Sequence, residues 1–99
     1  MHLSASLAVR PDHASTRARL GAALLRLGRP SEARAELERA LLLDPGLIPA
    51  RIDLGVALAR VGRIEDASRQ LTEALRRDPG NAAARESLEL LLARPKGTR

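Results

Sequence analysis

The sequence contains no cysteine, phenylalanine, tyrosine or tryptophan, and only six of its 99 residues are valine or isoleucine. Without cysteine the chain has no disulfide, no thiolate zinc site and no cysteine nucleophile. Without aromatic and β-branched side chains it lacks the residues that usually fill the core of a β-sheet. A disulfide-stabilised domain and a sheet protein are therefore excluded.

Long hydrophobic runs are also missing. No apolar run exceeds four residues, as in Ala40–Leu43, whereas a membrane-spanning helix needs about 20. Residues 1–10 do not show the ordered basic, apolar and cleavage segments of a secretory signal. We therefore expect no membrane association and take the cytoplasm as the default location.

Alanine, leucine and arginine together supply 53 of the 99 residues. All three are good helix formers, so the composition predicts an all-α protein. The length fits one small domain.

A sequence repeat of 34 residues sets the predicted architecture. Pro11, Pro45 and Pro79 are spaced at this interval, and residues 14–47 aligned on residues 48–81 give 15 identities. The identities include glycines and prolines, which a bias towards alanine and leucine does not explain. The chain is therefore built from related units.

Apolar residues in each unit follow a helical spacing of three and four residues twice over. The first unit shows this at Leu20, Leu24 and Leu27, then at Ala33, Leu37, Ala40 and Leu41. This spacing predicts two helices in each unit. The predicted helices are about 13–27, 30–43, 47–61, 64–77 and 81–93.

Glycine and proline mark the predicted helix ends. Gly28 and Gly62 stand where the first helix of each unit ends, and glycine adopts the left-handed conformation there at no steric cost. Pro30 suits the first turn of the next helix, where a missing N–H is harmless. Pro45 closes the pair by biasing the residue before it away from helix.

The predicted organisation has three parts. Leu3 and Leu7 lie one period before Leu37 and Leu41, so the chain is expected to begin inside a repeat. The parts are a half helix of a preceding repeat at 1–10, a repeat domain at 11–94 with units 14–47 and 48–81 and a closing helix at 82–94, and a disordered tail at 95–99.

The spaced residues resemble the pattern of the tetratricopeptide repeat family. The first unit carries Arg17, Leu20, Gly21, Leu24, Ala33, Leu37 and Pro45, and the second carries Arg51, Leu54, Gly55, Leu58, Ala67, Leu71 and Pro79. The resemblance implies a right-handed α-solenoid of antiparallel helix pairs that serves as a protein–protein interaction scaffold. It departs from the family where aromatic residues are usual, because this chain has arginine or leucine there.

Small residues and the last helix carry two further expectations. Gly21, Gly55, Ala33 and Ala67 stand on leucine-rich faces, which predicts close helix approach at those points. The closing helix is expected to cover the second unit through Leu88 and Leu92, because a stacked array needs a terminal element. Its extra apolar residues leave self-association open, through Leu90 and Leu91.

Residues able to support catalysis are scarce. The two histidines, His2 and His13, have no set of partner ligands, whereas a metal site needs three or four. No serine stands in a nucleophile or phosphate-loop motif. The sequence therefore predicts no metal, no cofactor and no enzymatic activity.

Charge differs between the two helices of a unit. Residues 14–29 hold four arginines and no acid, and residues 30–47 hold two arginines against four acids; the second unit has the same bias. Since the resemblance implies that first helices line a concave groove, we expect a basic groove for an anionic, acidic-hydrophobic peptide. Its expected residues are Arg19, Ala22, Leu25, Arg26, Ile52, Asp53, Val56 and Arg60.

Two alternatives stay open at this point. Arg26, Arg60 and Arg94 stand at helix C-termini, where a cation also complements the helix dipole. The basic face also fits a polyanion such as RNA, although the chain has no aromatic side chains on which bases stack.

Overall fold

The computed structural model describes the backbone of residues 3–93 and the side chains of residues 13–93. Within that part the chain forms five α-helices and no strand, which confirms the all-α class. The tail at 95–99 and Arg94 lie outside the described residues. The helices are α1 (Leu3–Arg26), α2 (Pro30–Leu43), α3 (Ile48–Arg60), α4 (Ile64–Arg77) and α5 (Ala82–Leu92).

The first helix begins earlier than predicted. The sequence predicts a start near residue 13 with a break at Pro11, whereas α1 is continuous from Leu3 to Arg26. A proline inside a helix removes one backbone donor, but its fixed φ is helical, so it weakens a helix without always ending it. Residues 3–10 therefore extend α1, and the assignment of residues 1–10 to a half helix of a preceding repeat stays a prediction.

The turn inside each helix pair is made by glycine. Gly28 has φ 77° and Gly62 has φ 89°. At the first turn the N–H of Arg29 donates to the carbonyl of Leu24 over 2.9 Å, and the N–H of Gly28 donates to that of Leu25 over 3.0 Å. This bonding satisfies the last carbonyls of the helix with glycine in the left-handed position. The helix ends predicted from these glycines are confirmed.

Close packing within each pair follows from a second pair of glycines. A Cβ atom placed on Gly21 lies 2.5 Å from Cγ of Leu37, and one placed on Gly55 lies 2.8 Å from Cγ of Leu71. Leu37 and Leu71 are fully buried. The leucine of the second helix thus occupies the volume that any larger residue on the first helix needs, which confirms the predicted close approach.

Arginine replaces the usual bulky residue with polar cross-links. Nη1 of Arg17 donates to Oε1 of Glu36 over 2.9 Å. One period later, Nη1 of Arg51 donates to Oε1 of Gln70 over 3.0 Å, and its Nη2 donates to the carbonyl of Pro45 over 2.9 Å. Each contact joins the two helices of one pair or fixes the turn that enters it.

Equivalent leucines differ in burial at the two ends of the described stack. Leu54 is 4% exposed beneath the preceding pair, whereas Leu20 is 46% exposed. Leu27, expected on the same face, is 68% exposed. Leu58 is 3% exposed, yet its equivalent Leu92 is 67% exposed, because no second helix follows α5 among the described residues.

The closing helix covers the second pair with a different residue than expected. Ala84 and Leu91 are buried, and Leu88 is half-buried. Leu92 was expected beside Leu88 but points away from the core, so Leu91, three residues from Leu88, takes that place. Helix α5 begins with an N-cap, since the side chain of Asn81 accepts a hydrogen bond from the N–H of Ala84 over 2.9 Å.

Candidate partner-binding groove

The first helices of the pairs, α1, α3 and α5, form an inner row. Helix α3 approaches both α1 and α5 to within 8 Å between Cα atoms, whereas α2 and α4 do not approach each other in the described part. We define the groove as the surface of this row that faces away from α2 and α4.

Six of the eight expected groove residues are accessible. Leu25 and Ile52 are only 7% and 8% exposed and belong to the hydrophobic core. Their side chains are therefore buried rather than accessible in the described structure. The accessible residues are Arg19, Ala22 and Arg26 on α1, and Asp53, Val56 and Arg60 on α3.

Helix α5 adds residues to the groove that the sequence argument missed. Ser87 and Leu90 lie 34 residues after Asp53 and Val56, so they take the same positions on the next first helix. Ser87 is half-buried and Leu90 is 72% exposed. The sequence signal for both residues is the 34-residue period, applied to the expected groove residues of α3.

A cavity opens between α3 and α5. It has a volume of about 280 Å³, and its walls are mainly apolar. The residues around it are Gly55, Val56, Ala59, Arg60, Leu71, Ser87, Leu90 and Leu91. A cavity of this composition suits an aliphatic side chain beside a polar group that meets Arg60 or Ser87.

Arg60 has a structural partner at the edge of this cavity. Its Nη1 donates to the backbone carbonyl of Leu25 over 3.0 Å, at the C-terminal end of α1. The cation therefore complements the end of the neighbouring helix. Its Nε and Nη2 groups make no hydrogen bond to the described residues, so Arg60 retains donors for a ligand.

The groove carries one acid among its arginines. Burial raises the pKa of the Asp53 carboxyl, and the positive charge of Arg26 opposes that rise. Arg19, Arg26 and Arg60 are exposed. The accessible charge is therefore mainly positive, with a half-buried carboxylate at its centre.

The described residues contain no group of three or more histidine, aspartate or glutamate side chains able to hold a metal ion. His13 instead borders a second cavity, of about 260 Å³, at the N-terminal end of the stack with Thr16, Arg17, Leu20 and Glu36. His2 lies outside the described residues.

None of the helices in the described part has the length and apolar character that a membrane span requires.

Comparison with known proteins gives one family and a similar solved structure. The family model described as tetratricopeptide repeat matches residues 1–46 and 35–93. The second tetratricopeptide repeat domain of human RPAP3, solved in complex with the HSP70 peptide SGPTIEEVD, has a TM-score of 0.79 and 26% identity. The match covers 83% of this chain and 68% of that one. No curated protein matches the chain.

Proposed function

Because the chain belongs to the tetratricopeptide repeat family, we propose that it is a non-enzymatic protein–protein interaction module that binds a peptide segment of its partner in the groove. The observation that carries the proposal is the apolar cavity between α3 and α5, bordered by Arg60. Such a cavity provides an anchor for one side chain, while the groove along α1 and α3 provides length for an extended segment.

The charge of the groove supports an anionic ligand. Arg19 and Arg26 are exposed on α1, and neither forms an ion pair with a described acid. An arginine binds a carboxylate through two parallel N–H donors, which favours acidic side chains in the ligand. The ligand class is therefore a peptide with aliphatic and acidic residues.

The similar human domain supports peptide binding but does not supply the ligand. That domain is described in complex with the peptide SGPTIEEVD. Some members of the family clamp a terminal carboxylate with lysines and asparagines on first helices, whereas this chain has one lysine, Lys96, and one asparagine, Asn81. Neither is on a first helix of the described stack, so the ligand is recognised by arginines and the cavity.

The cavity also gives Leu90 a role in the monomer. Leu91 is buried, so it is not available for the self-association left open by the sequence. Leu90 borders the cavity beside Val56 and contacts the ligand in this proposal. Sedimentation of the free protein as a monomer is the expected result.

A peptide-display selection on the immobilised full chain tests the proposal. The test variant carries Arg19→Glu and Arg26→Glu in the groove. The control variant carries Arg39→Glu and Arg69→Glu, the same charge change on α2 and α4. Arg60 is left intact because it also holds the end of α1. Circular dichroism confirms that each variant is folded.

Convergence on aliphatic-acidic peptides that bind the control and not the test variant is the expected outcome. Affinity for the best peptide is then measured at two salt concentrations. Phosphate binding weakens linearly and steeply in log salt, whereas a peptide held partly by apolar contact loses less. Failure to converge, together with steeply salt-dependent binding of RNA, would replace the proposal with the polyanion alternative.

A further inference from the structure

Asp53 differs from every other described acid. Glu36, Asp66 and Glu73 are also half-buried, and each forms an ion pair with arginine. Apart from Asp53, the carboxylates with no described partner are those of three exposed residues, Glu65, Glu86 and Glu89. Asp53 is thus the one described carboxylate that is both half-buried and unpaired.

The neighbours of Asp53 on its own helix do not satisfy it. The side-chain hydrogen bonds of α3 are made by Arg51, to Gln70 and Pro45, and by Arg60, to Leu25. Arg26 on α1 acts on Asp53 through its charge but lies beyond the 4.0 Å of an ion pair. The carboxylate therefore faces the groove with unused acceptor capacity.

The position of Asp53 connects it to the rest of the groove. It precedes Val56 by three residues and Arg60 by seven, so all three lie along one side of α3. Val56 and Arg60 border the cavity. A ligand side chain two residues from the anchor in the cavity reaches Asp53, since an extended peptide rises about 3.3 Å per residue and its alternate side chains share one face.

We propose that Asp53 selects a lysine or arginine in the ligand, at a fixed distance from the aliphatic residue that enters the cavity. This inference rests on the proposed peptide-binding function and makes it more specific. The ligand alternates in charge: carboxylates face Arg19 and Arg26, a cationic side chain meets Asp53, and an aliphatic side chain occupies the cavity.

The chemistry of a half-buried carboxylate favours a charged donor. Hydrogen bonds between ionised partners are shorter and stronger than neutral ones. Partial burial limits the access of water to the carboxylate, and a ligand N–H adds a hydrogen bond there. Burial also raises the pKa of the Asp53 carboxyl, which is consistent with an incompletely solvated group.

Display selection with three forms of the full chain tests the inference: the natural sequence, Asp53→Asn and Glu65→Gln. Glu65 is the matched control because it is unpaired in the described part, exposed, and on α4, outside the groove. We expect the natural sequence and Glu65→Gln to select lysine or arginine at one position. Asp53→Asn is expected to keep the aliphatic preference and lose the cationic one.

Affinity measurements complete the test. Replacing the selected lysine by methionine in the best peptide is expected to weaken binding to the natural sequence roughly tenfold, as for a charged hydrogen bond, and to leave binding to Asp53→Asn unchanged. Asp53→Lys is expected to select an acid at the same ligand position.

Two failures are distinguishable. If every form selects aliphatic peptides with the same residues at the other positions, the role of Asp53 is overturned and the groove function stands. If no form selects aliphatic peptides, and Val56→Asp binds the same pool as the natural sequence, the proposed function itself is overturned.

Discussion

Nη1 of Arg60 donates a hydrogen bond to the backbone carbonyl of Leu25, 35 residues earlier in the chain. The same carbonyl also accepts a hydrogen bond from the N–H of Gly28, the residue in the left-handed conformation in the turn after α1. One side chain of the second unit therefore stabilises the last turn of α1, the first helix of the first unit. The contact ties the two units at the edge of the groove.

Replacing Arg60 by methionine removes this contact and retains most of the aliphatic stem. We expect the free energy of unfolding to fall by about 1 kcal/mol, the usual net value of a hydrogen bond. Arg19→Met is the control, because Arg19 is exposed and has no described partner; its effect is expected within about 0.5 kcal/mol. Urea unfolding followed by circular dichroism measures both. Equal effects would show that Arg60 does not join the units.

Gly21→Ala tests the close approach of α1 and α2. Alanine is better than glycine in a helix by about 1 kcal/mol, but its Cβ would lie 2.5 Å from Cγ of Leu37. We expect overpacking to prevail, with a net loss of stability and a steric cost of about 1–3 kcal/mol. Gly80→Ala is the control, since no heavy atom lies within 4 Å of its added Cβ.

The same substitution in a Leu37→Ala background identifies the cause. Leu37→Ala alone is expected to cost about 2–5 kcal/mol because the leucine is fully buried. With that side chain truncated, Gly21→Ala is expected to become neutral or stabilising, as coupled neighbours do in a double-mutant cycle. An unchanged penalty would place its origin elsewhere than Leu37.

Asp53→Asn is expected to stabilise the free protein at neutral pH. Burial raises the pKa of the folded Asp53 carboxyl above 3.8, so ionisation at neutral pH opposes folding. The natural protein regains that stability as pH falls, and the difference between the two forms disappears below the unfolded pKa. Urea unfolding at neutral and acidic pH measures it. A variant less stable than the natural protein at neutral pH would contradict this sign.

Glu73→Gln is expected to have the opposite sign. Hydrogen bonds from Arg76 and Arg77 lower the pKa of Glu73 from 4.5 to about 2. The ionised carboxylate therefore stabilises α4 above pH 4.5, and this contribution is lost as pH falls towards 2. The variant is expected to be slightly less stable at neutral pH, with a difference that salt diminishes because both partner arginines are exposed. Glu65→Gln serves as the unpaired control.

The period of the sequence predicts what happens inside one unit. Gly21 and Gly55 predict where helices meet, and Gly28 and Gly62 predict where they turn, because these constraints act between residues close in the chain. The packing of a glycine against a leucine needs only the two helices of one pair. The sequence could predict these features because each depends on residues of a single helix pair.

Contacts between units were harder to predict. The sequence predicts Leu25 and Ile52 in the groove, yet both are buried in the hydrophobic core. The face of a helix that contacts the next unit depends on the rotation from one unit to the next, which helical spacing does not encode. The continuation of α1 through Pro11 was missed because proline chemistry favours a break without requiring one.

The inner row has a consequence for how the molecule opens. Helices α1 and α5 do not approach each other within 8 Å between Cα atoms in the described part, and each helix meets only its near neighbours along the chain. Stability in such an array is a sum of local terms. Amide hydrogen exchange will therefore be slowest in α3, which contacts all four other helices, and will quicken towards both ends without requiring the whole molecule to unfold.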